Sequence, residues 1–100
     1  MENKPLTVIV PGDLLSTNAQ ALRVKIDEVL NSSKVGPGNT FRLDLSRAKM
    51  VDSVGLNLVV SVLKEVQQRG ARMQITCSNQ NVLRTFIFIR LDQQIKLVKV

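Results

Sequence analysis

The chain predicts an α/β fold: a mostly parallel or mixed sheet of four to five strands with helices packed on it. Three observations carry that expectation. Short β-branched or alternating apolar runs take turns along the sequence with segments whose apolar residues recur at helical spacing. The resulting order, β-α-β-α-β-α-β, needs crossover connections, which make neighbouring strands parallel. With 100 residues, 44% of them hydrophobic, the chain has material for one modest core, so residues 1–100 are expected to form a single domain.

Residues 6–10, Leu-Thr-Val-Ile-Val, lie between Pro5 and Pro11-Gly12 and read as a strand. Ser16 or Thr17 is the expected cap of a first helix, whose buried face carries Ala19, Leu22, Ile26, Val29 and Leu30. The stretch 31–39, NSSKVGPGN, is loop by composition. Phe41, Leu43 and Leu45 alternate with Arg42 and Asp44, which gives a strand with one apolar face. A turn around residues 46–49 leads to Asp52-Ser53-Val54-Gly55, the opening of a second helix. Its expected stripe is Leu56, Val59, Val60, Leu63 and Val66, with Gly70 as the left-handed residue beyond its end. Met73, Ile75 and Cys77 form the next strand, and Ser78 or Asn79 caps a third helix carrying Val82, Leu83, Phe86 and Ile87. Residues 95–100 are the last strand.

Composition excludes whole classes of chemistry. Without histidine there is no Ser/His/Asp triad, no Cys–His nucleophile pair and no His-ligated zinc or haem. Cys77, the single cysteine, makes neither an internal disulfide nor a thiolate metal cage; it suits a reducing compartment and reads as a small core residue. Gly36-Pro37-Gly38 is too sparse for a phosphate-binding loop. Asp13, Asp44 and Asp52 would suit magnesium only if the fold gathered them, and nothing in the sequence does so. An enzyme, a cofactor and a metal site are therefore not expected. The apolar runs are too short for a signal-peptide core or for the ~18 residues that span a bilayer, so a cytoplasmic protein without membrane insertion is expected.

Fourteen basic residues against eight acidic ones leave a net charge of +6. Arg42, Arg47 and Lys49 cluster before Ser53, and Arg84, Arg90, Lys96 and Lys99 lie towards the C-terminus. Phosphate attraction is the obvious reading. The three phenylalanines sit in apolar periodic runs, however, and single-strand binders need exposed aromatic platforms, which argues against nucleic acid. A solvated basic face, or one that meets an acidic partner, is expected instead. Phe86-Ile87-Phe88-Ile89 is more apolar than one helix stripe requires. Either that helix packs on two sides, or Phe88 or Ile89 is exposed as a partner or homodimer surface.

The segment 43–56 carries the functional signal. A strand ends in Leu43-Asp44-Leu45-Ser46, the chain turns, and Ser53 falls in the first turn of an amphipathic helix. The start of a helix offers unpaired N–H groups and about half a positive charge, so it accommodates a phosphorylated hydroxyl. Asp and Ser ahead of an apolar helical run are also ordinary N-caps, and spacing alone does not separate the two readings. Leu43-Asp44-Leu45-Ser46, Val51-Asp52-Ser53-Val54-Gly55-Leu56 and Arg69-Gly70-Ala71-Arg72-Met73, in this order and spacing, resemble the core of the STAS domain, named for sulfate transporters and anti-sigma factor antagonists. Asn81-Val82-Leu83-Arg84 and Leu91-Asp92 fit that family's last helix and its exit.

The resemblance implies a STAS-like sheet and a bacterial anti-sigma factor antagonist. Such a protein is a binding switch that holds an anti-sigma factor, often itself a serine kinase, while its serine is unphosphorylated. That serine falls on Ser53, a serine phosphatase would reverse the modification, and Asp52, Val54, Gly55 and Asp13 would shape the turn and the docking face. Gly55 is expected to let a kinase approach closely. The chain departs from the family pattern at Leu15, which replaces a second acid near the serine, and at Val54, which replaces a second hydroxyl. Ile89-Arg90-Leu91 replaces a Thr-Gly-Leu, and the short N-terminus leaves little chain for the family's first strand. These departures support a second expectation, a STAS adaptor subunit of a larger assembly, such as a lipid transporter or stress-sensing complex, that is never phosphorylated.

Overall fold

The computed structural model describes residues 6–100; the stretch 1–5, where the family's first strand would fall, lies outside the described residues. Four strands, β1 (Leu6–Ile9), β2 (Thr40–Leu45), β3 (Arg72–Cys77) and β4 (Lys96–Lys99), form one sheet in the order β1-β2-β3-β4. Every pairing is parallel. Three helices connect them: α1 (Ala19–Ser32), α2 (Ser53–Gln68) and α3 (Gln80–Phe88), the last followed by a 3-10 turn over Leu91–Gln93. The expected element order is therefore observed, and the sheet has four strands among the described residues.

Each connection steps one strand in the same direction. Right-handed crossovers of that kind put all three helices on one face of the sheet. The core confirms it: Val8, Phe41, Leu43, Leu45, Met73, Ile75 and Cys77 are buried together with residues from every helix. The alternate positions, Arg42, Asp44, Arg72, Gln74, Thr76 and Lys96, take no part in that core. Cross-strand register aligns Thr7, Arg42, Gln74 and Lys96 in a row on this other face. Arg42 Nε and Nη2 there donate to Gln74 Oε1 at 3.2 and 3.1 Å.

Several local expectations are corrected. Neither Ser16 nor Thr17 caps α1; Asn18 precedes it, and its side chain ties the preceding loop instead of the helix. Asn18 Oδ1 accepts from Leu15 N at 2.9 Å while Nδ2 donates to Asp13 O at 2.7 Å. The helix runs to Ser32, so the following loop begins later than composition suggests. In α2 the fully buried stripe includes Leu58 and Val62, while Leu56 and Val60 pack only partly on the core. α3 is not packed on two sides. It buries Val82 and Phe86, leaves Ile87 exposed, and holds Phe88 87% exposed.

Gly70 has φ +74, the left-handed value that favours glycine, and it turns the chain from α2 into β3. Arg69 pins the same corner by donating to Leu30 O at 3.1 Å and to Asn31 Oδ1 at 2.6 Å. On the outer surface Arg23 bridges α1 to α2 through Glu65.

Candidate functional site

The connections leaving β1 and β2 meet at the C-terminal edge of the sheet, where open parallel sheets place their ligand sites. Two carboxylates lock them together reciprocally. Asp13, in the loop after β1, accepts at Oδ1 from Lys49 N at 2.7 Å and from Met50 N at 3.1 Å. Asp52, just ahead of α2, accepts at Oδ2 from Ser16 N at 2.8 Å and at Oδ1 from Gly55 N at 2.8 Å. Between them the backbones pair directly: Leu14 N donates to Met50 O at 3.0 Å, and Asp52 N to Leu14 O at 3.1 Å. Asp52 is thus both the N-cap of α2 and the clasp of the 11–18 loop.

These bonds explain the electrostatics. The backbone amide of Gly55, and after it that of Ser16, holds the Asp52 carboxyl below its ordinary value, because both donors favour the charged form. Gly55 is buried, and a Cβ there would sit 2.8 Å from Leu14 Cγ and collide with Leu14 O. The room this glycine makes is filled from within by Leu14.

Ser53 is the first residue of α2 and is exposed. Among the described residues no hydrogen bond holds its hydroxyl, since Asp52 already serves the cap. Val54 beside it is 46% exposed and Met50 58% exposed. A shallow hollow of about 220 Å³ continues from Met50 and Val51 towards Asn81 and Thr85 of α3. The structure therefore brings Asp13, Asp52, Ser53, Val54 and Gly55 to one end of the molecule. Asp13 and Gly55 act there as internal supports, and Ser53 and Val54 are presented outward. Asp44 is separate: its Oδ1 accepts from Ser46 N at 2.9 Å. Leu15, the position of the missing acid, is half-buried in the clasped loop.

Sequence reading missed Leu14, Ser16 and Met50. Their roles depend on pairing between segments 36 or 37 positions apart, for which no local pattern exists. The apolar Met50, following Lys49 and ahead of the cap, was the one signal in the sequence.

A singly wound parallel sheet with its helices on one face is the arrangement of the STAS fold. The family described as "Mlab, STAS domain" matches residues 1–99, and the chain belongs to it. Among solved structures, the Thermotoga maritima protein tm1081, assigned as an anti-sigma factor antagonist, matches with TM-score 0.80 and 25% identity, over 97% of this chain and 84% of that one. The anti-sigma factor antagonist SpoIIAA in its unphosphorylated form gives TM-score 0.66 at 19% identity, over 88% and 77% of the two chains. A sulfate transporter family protein from Wolinella succinogenes gives 0.65 at 15%, over 95% and 77%. The last two likenesses are of fold alone. A comparison with curated proteins returns no match. Among the described residues no helix is long and apolar enough to cross a membrane.

Proposed function

We propose that the chain is a bacterial, cytoplasmic anti-sigma factor antagonist, a binding module and not a catalyst, whose docking face is the Ser53 end of α2. In this reading the unphosphorylated face, Ser53 with Val54 and Met50 beside it, captures an anti-sigma factor that is also a serine kinase. Phosphorylation of Ser53 releases that partner, and a serine phosphatase restores binding. The observation that carries the reading is the Ser53 hydroxyl, exposed and unbonded at a helix start whose cap is already supplied by Asp52. A phosphate there adds about −1.5 to −2 charge beside the Asp52 carboxylate. The helix dipole tolerates that charge in the free protein. An interface that must desolvate it does not, and a loss of about 3 kcal/mol weakens docking roughly a hundredfold.

The test is incubation with ATP and a kinase-type anti-sigma factor from the same genome, followed by mass spectrometry and binding measurements. Phosphate is expected on Ser53. Ser53→Ala should keep the partner and Ser53→Asp should lose most of its affinity. Equal binding by both variants, or modification that persists in Ser53→Ala, sinks the switch.

A second reading is a STAS adaptor held permanently in a larger assembly, such as a lipid transporter. The family's description as Mlab and the apolar Leu15 at the position of an acid favour it. Affinity capture separates the two: a transporter ATPase in place of a kinase-type partner, with Ser53 unmodified, supports the adaptor.

A further inference from the structure

The end of the molecule opposite Ser53 has a character the switch does not use. α2 and α3 both start at the C-terminal edge of the sheet, so the end of α3 lies at the N-terminal edge. There the chain reverses sharply: Ile89 ends the helix and Arg90 takes φ +63, after which Leu91 returns to the core. The corner so formed projects Ile87 (46% exposed), Phe88 (87%) and Ile89 (36%) into solvent. Arg84, one turn before Phe88 on the same helix face, and Arg90, just after it, are both exposed.

At the same edge of the sheet is a hollow of about 470 Å³ with a mixed lining, in which Arg72 and Lys96 are joined by Gln67, Gln94, Leu63 and Met73. Gln67 Nε2 donates to Gln94 Oε1 at 3.2 Å, which joins the hollow to the chain leaving the corner. Arg72 and Lys96 are exposed first residues of their strands, and Lys34 is exposed in the loop entering β2. Asp92 is the acid in the 3-10 turn itself.

We propose that this edge docks on anionic phospholipid bilayers: Ile87, Phe88 and Ile89 enter the headgroup layer while Arg72, Arg90 and Lys96 meet lipid phosphates. Two observations favour a lipid surface over a protein. Three side chains cover far less than the ~800 Å² per partner of a stable protein interface. A shallow aromatic wedge combined with several basic groups is the pairing of signals that holds peripheral proteins on anionic membranes, where neither signal suffices alone. Docked in this way, the molecule leaves Ser53 facing away from the membrane.

The experiment is co-sedimentation of the full chain with equimolar phosphatidylcholine–phosphatidylglycerol vesicles and with pure phosphatidylcholine vesicles. Binding is expected only to the anionic vesicles, and it should fall as salt is raised. Phe88→Ser should weaken it about tenfold or more. Arg72→Gln and Lys96→Gln should each weaken it about fivefold. Melting midpoints should stay unchanged; if Phe88→Ser melts early, the Arg72→Gln/Lys96→Gln pair carries the test. Absence of binding, binding indifferent to these variants, or equal binding to neutral vesicles overturns the proposal. So does complete displacement of the vesicles by single-stranded DNA, which would assign the edge to soluble polyanions.

Discussion

At Gly55 a hydrogen atom is all that separates the first turn of α2 from Leu14, a side chain with no exposed surface. Gly55→Ala therefore forces either the 11–18 loop or the start of α2 to move. The contact is backbone and branched side chain, which yield poorly. A loss of about 2–3 kcal/mol is expected, read as a lower urea midpoint at unchanged slope. Asp52 gives a pH prediction at the same scale. Its carboxyl is depressed in the folded protein by the amides of Gly55 and Ser16. Its contribution is thus fully present above the ordinary value near 3.8 and is lost as pH falls through the folded-state value. Asp52→Asn keeps a good cap but has no proton to take up. The urea midpoint of the variant should fall less between pH 5 and pH 2.5 than that of the parent. Curves of equal steepness would show that other carboxylates dominate acid sensitivity. The Asp52-Ser53 pair was legible because capping is local. The Ser16 amide on Asp52 was not, because a clasp across 36 positions leaves no mark on either segment.

Among the elements, α3 depends most on its ends. It spans nine residues and buries only Val82 and Phe86, so its start matters in proportion. Asn79 Oδ1 accepts from Asn81 N at 2.9 Å and from Val82 N at 3.2 Å. Asn79→Ala should cost about 1 kcal/mol, and amide exchange should rise in α3 before it rises in β2 or β3. Uniform exchange across the chain would mean that α3 unfolds only with the rest. This cap could be read in the sequence; that of α1 could not. Ser16 and Thr17 have the right side chains, but Asn18 takes the position and turns its amide back on the loop. Periodicity likewise located α2 but marked its stripe imperfectly. The helix is apolar on more than one side, and its packing against the sheet buries Leu58 and Val62 while Leu56 and Val60 stay at the margin. In α3 the same ambiguity ran the other way, and Phe88, apolar enough for a core, ends outside it.

At the scale of the whole molecule, the sheet grows one strand at a time in a single direction, so one face is core and the other carries Arg42, Arg72, Gln74 and Lys96. Parallel sheets are usually covered on both faces. Here the alternation of apolar and charged residues along β2 and β3 already marked one face as polar, which is why strand order and core were readable, while the clasp was not and the apolar corner stood as one of two readings. The single cysteine turns this architecture into a measurement. Cys77 is fully buried in β3, an internal strand, between β2 and β4, and burial pushes its thiol above the ordinary value. A thiol reagent needs the exposed thiolate, so labelling under native conditions should proceed through opening of the sheet. If that opening is global, the labelling rate follows the unfolding equilibrium. Gly55→Ala, whose nearest new contacts are with Leu14, should then speed labelling by about 30- to 150-fold, the factor matching 2–3 kcal/mol. Asn79→Ala should speed it about fivefold. Rates that respond to Asn79→Ala but not to Gly55→Ala would instead show β4 and α3 peeling away as a unit while the clasped Ser53 end stays closed.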